Sequence, residues 1–407
     1  MNNKIKLAVA GAVLSAASIA NAGIIIPAGE WTMDINGNVN AFANRLSVDK
    51  DDGAVTGGIA VREDSNTEDR QYGINTGLLP SWLGFTGTTR QNDVDVSFTI
   101  SFQPNASDNG AAGDAGTPLN RQAFVTFGDK SWGSVKLGKD LGIFAGNAIL
   151  NDMTLLGVGA LAAPGSGGAT TWGGIGTGYI YAAWKGQIAY TTPNMNGFTA
   201  TIGITNPNQG LTDTIGGTAT GLYQDRFGVE GQVQYAFTGD VSGKVWSSFA
   251  SYDVTFDDAA LTVDNDVNVS AIDVGINLNA GNAGLTAYYY DTNNGGTTTL
   301  FGNAFTTDAA GTSAKGRDSD GGYVQATYVI PTGTKLGLAY GVSNLDEASG
   351  ETGGALVDKN ERWTVGAYHP LTKHLNLVAE YNNVQSESHN NLDVENDIFS
   401  LGAILFF

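Results

Sequence analysis

Residues 93–102 read Asp-Val-Asp-Val-Ser-Phe-Thr-Ile-Ser-Phe. Val94, Val96, Phe98, Ile100 and Phe102 fall on one parity; Asp93, Asp95, Ser97, Thr99 and Ser101 fall on the other. A period of two with an apolar and a polar face is the signature of a β-strand, because successive side chains leave a strand on opposite sides. The pattern recurs outward from there. In 31–44, Trp31, Met33, Ile35, Gly37, Val39, Ala41 and Ala43 oppose Thr32, Asp34, Asn36, Asn38, Asn40 and Asn44, with Phe42 the one exception. Segments near 227–237, 272–278, 324–330, 336–342, 363–367 and 399–407 alternate in the same way, and no amphipathic helix of comparable length appears.

The connections alternate in length. Short turns are predicted at Pro80-Ser81, Asp129–Trp132, Pro193–Asn196, Thr238–Asp240, Ala280–Asn282, Pro331–Thr334 and Pro370–Lys373, where Pro, Gly, Asn and Asp suit tight turns. Long polar connections are predicted at 47–69, 104–119, 141–184, 206–223, 253–266, 293–318, 345–361 and 384–397. Seven turns and eight loops join sixteen strands, with both chain ends on the short-turn side. That is the ground plan of an all-β, 16-stranded antiparallel transmembrane β-barrel with short periplasmic turns and long external loops. Such a wall leaves a water-filled lumen.

The chain has 407 residues, 57 of them Gly, and no Cys. The missing cysteines exclude disulfide scaffolds, cysteine-ligated metals and thiol chemistry. Lys plus Arg total 20 against 40 Asp plus Glu, so nucleic acid, a polyanion, is not an expected partner. Lys4 and Lys6, the apolar run Leu7 to Ala20, and Ala20-Asn21-Ala22 predict a secretory signal peptide over 1–22, cleaved before Gly23. The mature barrel domain is then 23–407. No later stretch has the apolar length of a spanning helix, so an integral protein must be a closed barrel. The last strand ends on Phe407 with an apolar face that a soluble β-sandwich would leave as an aggregating edge. Trp31, Phe127, Tyr190, Phe237, Tyr328 and Phe407 at one rim, and Phe102, Phe227 and Tyr340 at the other, fit interfacial girdles.

Residues 120–144 contain Arg121-Gln122-Ala123-Phe124-Val125 followed by Gly133-Ser134-Val135-Lys136-Leu137-Gly138-Lys139. This segment resembles the Gram-negative general porin family, in which a comparable motif precedes a loop folded into the lumen. Phe407 resembles that family's end signal, read by the barrel-insertion machinery. The resemblance implies a homotrimer in the outer membrane, passive diffusion of small hydrophilic solutes, no catalysis and no cofactor. It also implies a third loop whose carboxylates face basic wall residues. Here the candidate constriction loop, 141–184, has eleven Gly and one charged residue, Asp152. Either this loop makes a less polar constriction, or its Leu, Met and Val residues are its own small core against the wall.

In a lipid-facing barrel the polar parity meets the lumen. That parity holds Asn36, Asn38, Asn40, Asp93, Asp95, Ser97, Lys136, Arg226, Glu230, Gln232, Arg362 and Glu380. Lys136 and the Asp93/Asp95 pair are the leading candidates for wall charges that bias ion passage. Lys139 and Arg121 fall on the apolar parity, where strand ends or a subunit contact would accommodate them. His369, His374 and His389 lie in predicted connections with no nucleophile or acid spaced beside them. Residues 264–269 begin like a calcium loop but lack its sixth-position Gly and twelfth-position acid, and no phosphate-binding loop is present.

A substrate-specific (sugar-type) channel or a receptor or adhesin barrel is the competing class. Tyr288, Tyr290 and Tyr368, on lumenal parity, would be its aromatic track. The predicted loops 47–69, 253–266, 345–361 and 384–397 hold 21 of the 40 acids and three bases, Lys50, Arg62 and Lys359. That distribution predicts an anionic outer rim, a mild cation preference, and bridging to lipopolysaccharide through divalent cations.

Overall fold

A computed structural model describes residues 23–63, 69–104, 119–161, 170–206, 212–215, 218–224, 226–258 and 260–407. The predicted signal peptide lies outside the described residues, as do parts of the loops after the third and seventh wall strands. Sixteen wall strands follow one another: β1 (Trp31–Asp51), β2 in two pieces (Arg70–Asn75 and Trp82–Gln91), β3 (Val94–Gln103), β4 (Leu119–Asp129) and β5 (Gly133–Leu141). Then come β6 (Trp184–Thr191), β7 (Phe198–Thr205), β8 (Gly228–Phe237), β9 (Val241–Asp257), β10 (Asp266–Ala280) and β11 (Ala283–Asn293). The wall ends with β12 (Ser319–Val329), β13 (Lys335–Leu345), β14 (Val357–Pro370), β15 (Leu375–Ser388) and β16 (Asp393–Phe406). We label the connections at the loop end L1 to L8 in chain order.

Each wall strand pairs antiparallel with the next, and β16 closes the ring on β1 from Asn38↔Phe406 to Asp51↔Val394. Phe407 continues the seam by exchanging both backbone bonds with Gly37 (2.8 and 3.1 Å). The short strand Ile24–Ala28 pairs with Trp31–Ile35 and extends the wall below Phe407. Closure leaves no wall edge unpaired, the condition for strands to cross a membrane. The strands are strongly tilted. A register line leaving Asp51 runs through Val394, Asn360, Tyr290, Gln232, Ser134 and Asp95, and returns at Arg90, beside the opposite rim.

The outward parity is apolar and exposed: Val39, Ile74, Ile272, Val274, Val365 and Leu401 are each about half accessible. In water such a belt would aggregate; facing lipid, it is the solvent match. Three sequence expectations change. The first turn is not Pro80-Ser81 but Asn92-Asp93, both at positive φ (49° and 63°), the geometry of a two-residue hairpin turn. Residues 76–81 instead leave the wall between the two pieces of β2. L8 is only 389–392, because β15 and β16 run on past the predicted loop boundary. The acids Glu387, Asp393, Glu395 and Asp397 therefore sit on strands.

The excursion at 76–81 is held by asparagines of β1. The Asn40 Oδ1 accepts from Thr76 Oγ1 (2.8 Å) and Gly77 N (2.9 Å), and its Nδ2 donates to Leu79 O (2.9 Å). Asn38 Nδ2 donates to Pro80 O (3.0 Å). Both side chains are fully buried, so they are structural groups rather than water-facing ones. Asn40→Ala strands four buried polar partners, since the Asn40 Nδ2 also donates to Asn38 Oδ1 (2.6 Å). It should cost about 2–4 kcal/mol, at ~1–3 kcal/mol for a buried group left unsatisfied, read as a lower urea midpoint in detergent or vesicles. An unchanged midpoint contradicts this role.

Candidate functional site

The described parts of the third loop, L3 (142–183), namely 142–161 and 170–183, fold into the barrel and carry the helix α1 (Gly146–Asn151) and a 3₁₀ turn, Met153–Leu156. The loop's backbone is gripped by carboxylates of the wall. Glu230 on β8 accepts from Ile143 N (2.8 Å) and Phe144 N (3.0 Å) through one oxygen, and from Lys185 Nζ and Tyr252 OH (2.6 Å each) through the other. These four donors match a carboxylate's full capacity. Asp273 on β10 accepts from Ala145 N (3.3 Å) and Tyr288 OH (3.1 Å). Glu380 on β15 accepts from Val158 N and Gly159 N (2.8 Å each) and from Tyr368 OH (2.7 Å). A Cβ at position 157 would overlap the Glu380 carboxylate, so glycine there is what lets the loop approach.

Gln325 on β12 fixes the middle of L3, donating to Asn151 O (2.6 Å) and accepting from Met153 N (2.9 Å). Asp152 faces inward from the loop but is spent locally. Its oxygens accept from Thr154 N (2.9 Å), Gly174 N (3.0 Å) and Tyr179 OH (2.8 Å), with Arg362 Nη2 at 3.8 Å. Its side chain is 2% exposed. Leu155, Val158, Leu161 and Ile175 are buried in one apolar cluster with Phe42, Leu46, Val384 and Ile398 of the wall, and Met153 is buried as well. Most of the loop's apolar residues are thus its core against the wall, while Leu150, Leu156 and Trp172 remain partly exposed on its surface. Phe42 stands on the inward parity because it packs into this cluster.

Of the sequence candidates, Glu230, Arg362 and Glu380 point inward but lie buried behind L3. Asp95 and Lys136 also point inward and are partly accessible. Asp95 pairs with Arg90 (2.8 Å) near the turn rim, where Arg90 also meets Asp129 (2.9 Å). Lys136 pairs with Asp140, and its ammonium lies over the Phe124 ring (5.1 Å). Two placements are corrected. Asp93 belongs to the turn and is fully exposed, because the strand starts one residue later. Arg226 precedes β8, lies at the loop rim and pairs with Asp253 of β9.

Arg121 is also displaced from its expected parity. A bulge in the pairing of β3 with β4, between Ser101 and Phe102, turns it inward. It is 8% exposed, with its guanidinium over Trp82 and Trp184 (5.5 and 4.5 Å). Lys139 keeps its outward parity and donates to Asn120 O (2.8 Å). Tyr288, Tyr290 and Tyr368 are inward but at most 5% exposed, so they form no open aromatic track. Asp273, Lys185 and Gln325 were not singled out from sequence; strand parity alone marks Asp273, between Ile272 and Val274. The histidines are dispersed: His369 bonds Thr334 (3.0 Å) at the turn end and His389 bonds Leu345 O (3.0 Å) at the loop end.

L6 (294–318) also folds inward. Phe301 and Phe305 are buried against Tyr252 and Phe256 in edge-to-face contacts (5.6 and 5.0 Å). Tyr181 N of L3 donates to Thr298 O of L6 (2.9 Å). Arg317 at the base of L6 makes a two-pronged ion pair with Glu351 of L7 (2.6 and 2.8 Å) and donates to Asn303 O and Phe305 O.

A family model described as Gram-negative porin matches residues 7–389. Among curated proteins, none matches in sequence. The outer membrane channel DcaP of Acinetobacter baumannii superposes at a TM-score of 0.67 with 18% identity, covering 95% of this chain and 100% of its own. OmpF of Salmonella typhi, solved with daunomycin, gives 0.60 and 16%, covering 94% and 100%. OmpT of Vibrio cholerae, solved in a trimer form, gives 0.52 and 14%, covering 93% and 99%. At these identities the likeness to each structure concerns the fold.

Two outcomes test the site. Glu230→Gln leaves the Lys185 ammonium buried without its counterion and should cost about 3–5 kcal/mol. The double variant Lys185→Met/Glu230→Gln should recover much of that loss in denaturant unfolding, and equal costs for both would refute the pairing. The Arg317 bond, with burial opposing it, holds the Glu351 carboxyl below the usual 4.5. A lowered folded value means the clamp is complete above 4.5 and is lost as pH falls through the folded value. Protease nicking of L6 should therefore rise in that acid window, and in Arg317→Met it should be high at neutral pH already.

Proposed function

The chain belongs to the Gram-negative porin family, and from that premise we propose that it passes ions and small hydrophilic solutes by passive diffusion. It is an outer-membrane channel, not an enzyme. The observation that carries the diffusion reading is the division of the closed wall. Its outward residues are apolar, while inward Thr86, Ser97, Thr99, Lys136 and Thr201 are polar and partly accessible. Asp95 and Lys136 are the wall charges we assign to the path. Asp152, Glu230, Arg362 and Glu380 act on it indirectly, by holding L3. Arg226 acts at the mouth.

The loop rim supports a mild cation preference. Asp346 has its carboxyl raised above the usual value by burial and by Asp320, Asp318 and Asp358 around it, a mark of dense negative charge. Above the outward aromatics Trp363, Tyr381 and Phe399, the outward parity carries Glu361, Asp393, Glu395 and Asp397. Divalent cations bridging these acids to lipopolysaccharide phosphates fit that charge. A homotrimer follows by analogy with the trimer form of the Vibrio cholerae OmpT. Phe407, at the end of the closing strand, serves as the signal to the barrel-insertion machinery.

Purified protein in planar bilayers should give stepwise conductance, and its reversal potential in a salt gradient should show cations favoured. That bias should fade above ~0.1 M salt, where the Debye length falls below ~10 Å. No steps would overturn the channel reading. Strong anion preference at low salt would overturn the rim's role, and saturable block by a sugar would favour a substrate-specific channel.

A further inference from the structure

Near the turn end of the barrel, two partly accessible lysines face inward with no acid beside them. Lys244 on β9 shares its parity with the buried Trp246, and Lys335 on β13 pairs across the ladder with the buried Tyr368. The Lys244 ammonium lies over the Trp246 ring (5.4 Å) and donates to Asn147 Oδ1 of L3 (2.7 Å). The Lys335 ammonium lies over the Tyr368 ring (4.9 Å). Among the described residues neither ammonium meets a carboxylate within 4.0 Å, and Lys335 makes no hydrogen bond through its side chain. A ring face attracts an ammonium without neutralising it, and an ammonium carries three donors. The other inward lysines of the described wall, Lys136 and Lys185, are paired with Asp140 and Glu230.

The ladder sets the two lysines at one height. From Lys244 the register runs through Asn277, Thr286 and Gln325 to Ala339, climbing toward the loop end as it goes. One circuit of the ring spans the length of β1, so these four strands carry a rise of about five residues. Lys335 stands four residues nearer the turn than Ala339, which offsets that rise. Between the lysines lie the inward Asn277, Asn279 and Thr327, all accessible to water. Asn279 Nδ2 donates to Asn277 Oδ1 (2.8 Å) and Asn277 Nδ2 donates to Thr286 Oγ1 (2.9 Å), so each amide keeps a second N–H. Gly284 and Gly337 share this face, where a Cβ would fall 2.6 Å from Thr327 Oγ1 and 2.5 Å from Met153 Sδ. The floor between the lysines is therefore low and polar. The acids that reach this end are engaged or remote. Glu380, whose charge acts on Lys335, is bonded by Val158 N, Gly159 N and Tyr368 OH. Asp95 and Asp129 share Arg90 on the far wall, and Asp34 lies on β1, at least four strands from either lysine.

We propose that Lys244 and Lys335 form an anion-holding patch on the turn-end side of L3, which takes small polyanionic solutes. A solute's negative groups supply the counterions that the wall withholds, and the free amide hydrogens of Asn277 and Asn279 donate to the same groups. Two ammoniums at one height suit a solute with more than one negative charge. The patch also gives the lumen a polar axis, acidic at the loop rim and basic at the turn end, so an anion that has entered is drawn toward the turns. This inference rests on the diffusion-channel reading, but the two fail by different results.

Citrate, a small polyanion, is the probe. Added to single channels in KCl at neutral pH, it should cause transient blocks of current. The double variant Lys244→Met/Lys335→Met should lose those blocks, and its reversal potential in a KCl gradient should shift toward cations. Lys244→Arg/Lys335→Arg keeps both charges and should keep the blocks. A second readout needs no conduction: acetylation of the folded native barrel, read by peptide mass. Citrate should slow acetylation at Lys244 and Lys335 and leave the exposed turn residues Lys130 and Lys373 unchanged. Blocks that persist in the methionine variant, or equal acetylation of Lys244 and Lys335 with and without citrate, overturn the patch. Absence of conductance steps in KCl alone is a failure of the channel reading, and acetylation then decides the patch by itself.

Discussion

A buried carboxylate is costly unless donors meet it, and in this barrel the donors are the backbone amides of a loop. Taking a carboxylate out of water costs several kcal/mol. Hydrogen bonds to a charged group return about 1.5–3 kcal/mol each, so two to four donors are needed to offset burial. Glu230 has four and Glu380 has three. Neither side of the bargain stands alone. Without L3 the wall acids would face water, and without the acids the L3 amides at 143–144 and 158–159 would be orphaned in an apolar cluster.

This grip explains why the interior does not follow the simple rule that polar parity means water. Phe42, Leu46, Val384 and Ile398 point inward because L3 and the 76–81 excursion supply an apolar surface for them. The polar residues beside them are structural: Asn40 holds the excursion, and Asn360 and Ser386 receive L1. Resembling porins set loop carboxylates against wall bases. Here the acids are on the wall, bonded to a loop whose single charge is consumed locally. Much of the chain's remaining acidity lies instead at the loop rim, with Asp318, Asp320, Asp346 and Asp358 among its acids.

The barrel was legible because its signal is local and repeated. A strand with one lipid face writes period two into its own residues, and closure is foreshadowed by the apolar strand ending at Phe407. Errors arose where local chemistry has two meanings. Pro80-Ser81 has turn composition but marks an excursion, and the turn at Asn92-Asp93 overlaps the first residue of the alternating run 93–102. The bulge at Arg121 adds one residue and reverses parity, which alternation cannot foresee. The grip on L3 joins residues 143 with 230 and 158 with 380, separations at which a single sequence carries no pattern.

Hydrogen exchange over 142–160 in the intact barrel tests the grip most directly. The account predicts slow exchange at neutral pH for the amides of Ile143, Phe144, Val158 and Gly159, comparable to wall strands and slower than the L7 tip. Glu380→Gln should speed exchange at Val158 and Gly159 while leaving Ile143 and Phe144 protected. Exchange over this segment as fast as in the L7 tip would contradict a loop held by wall carboxylates.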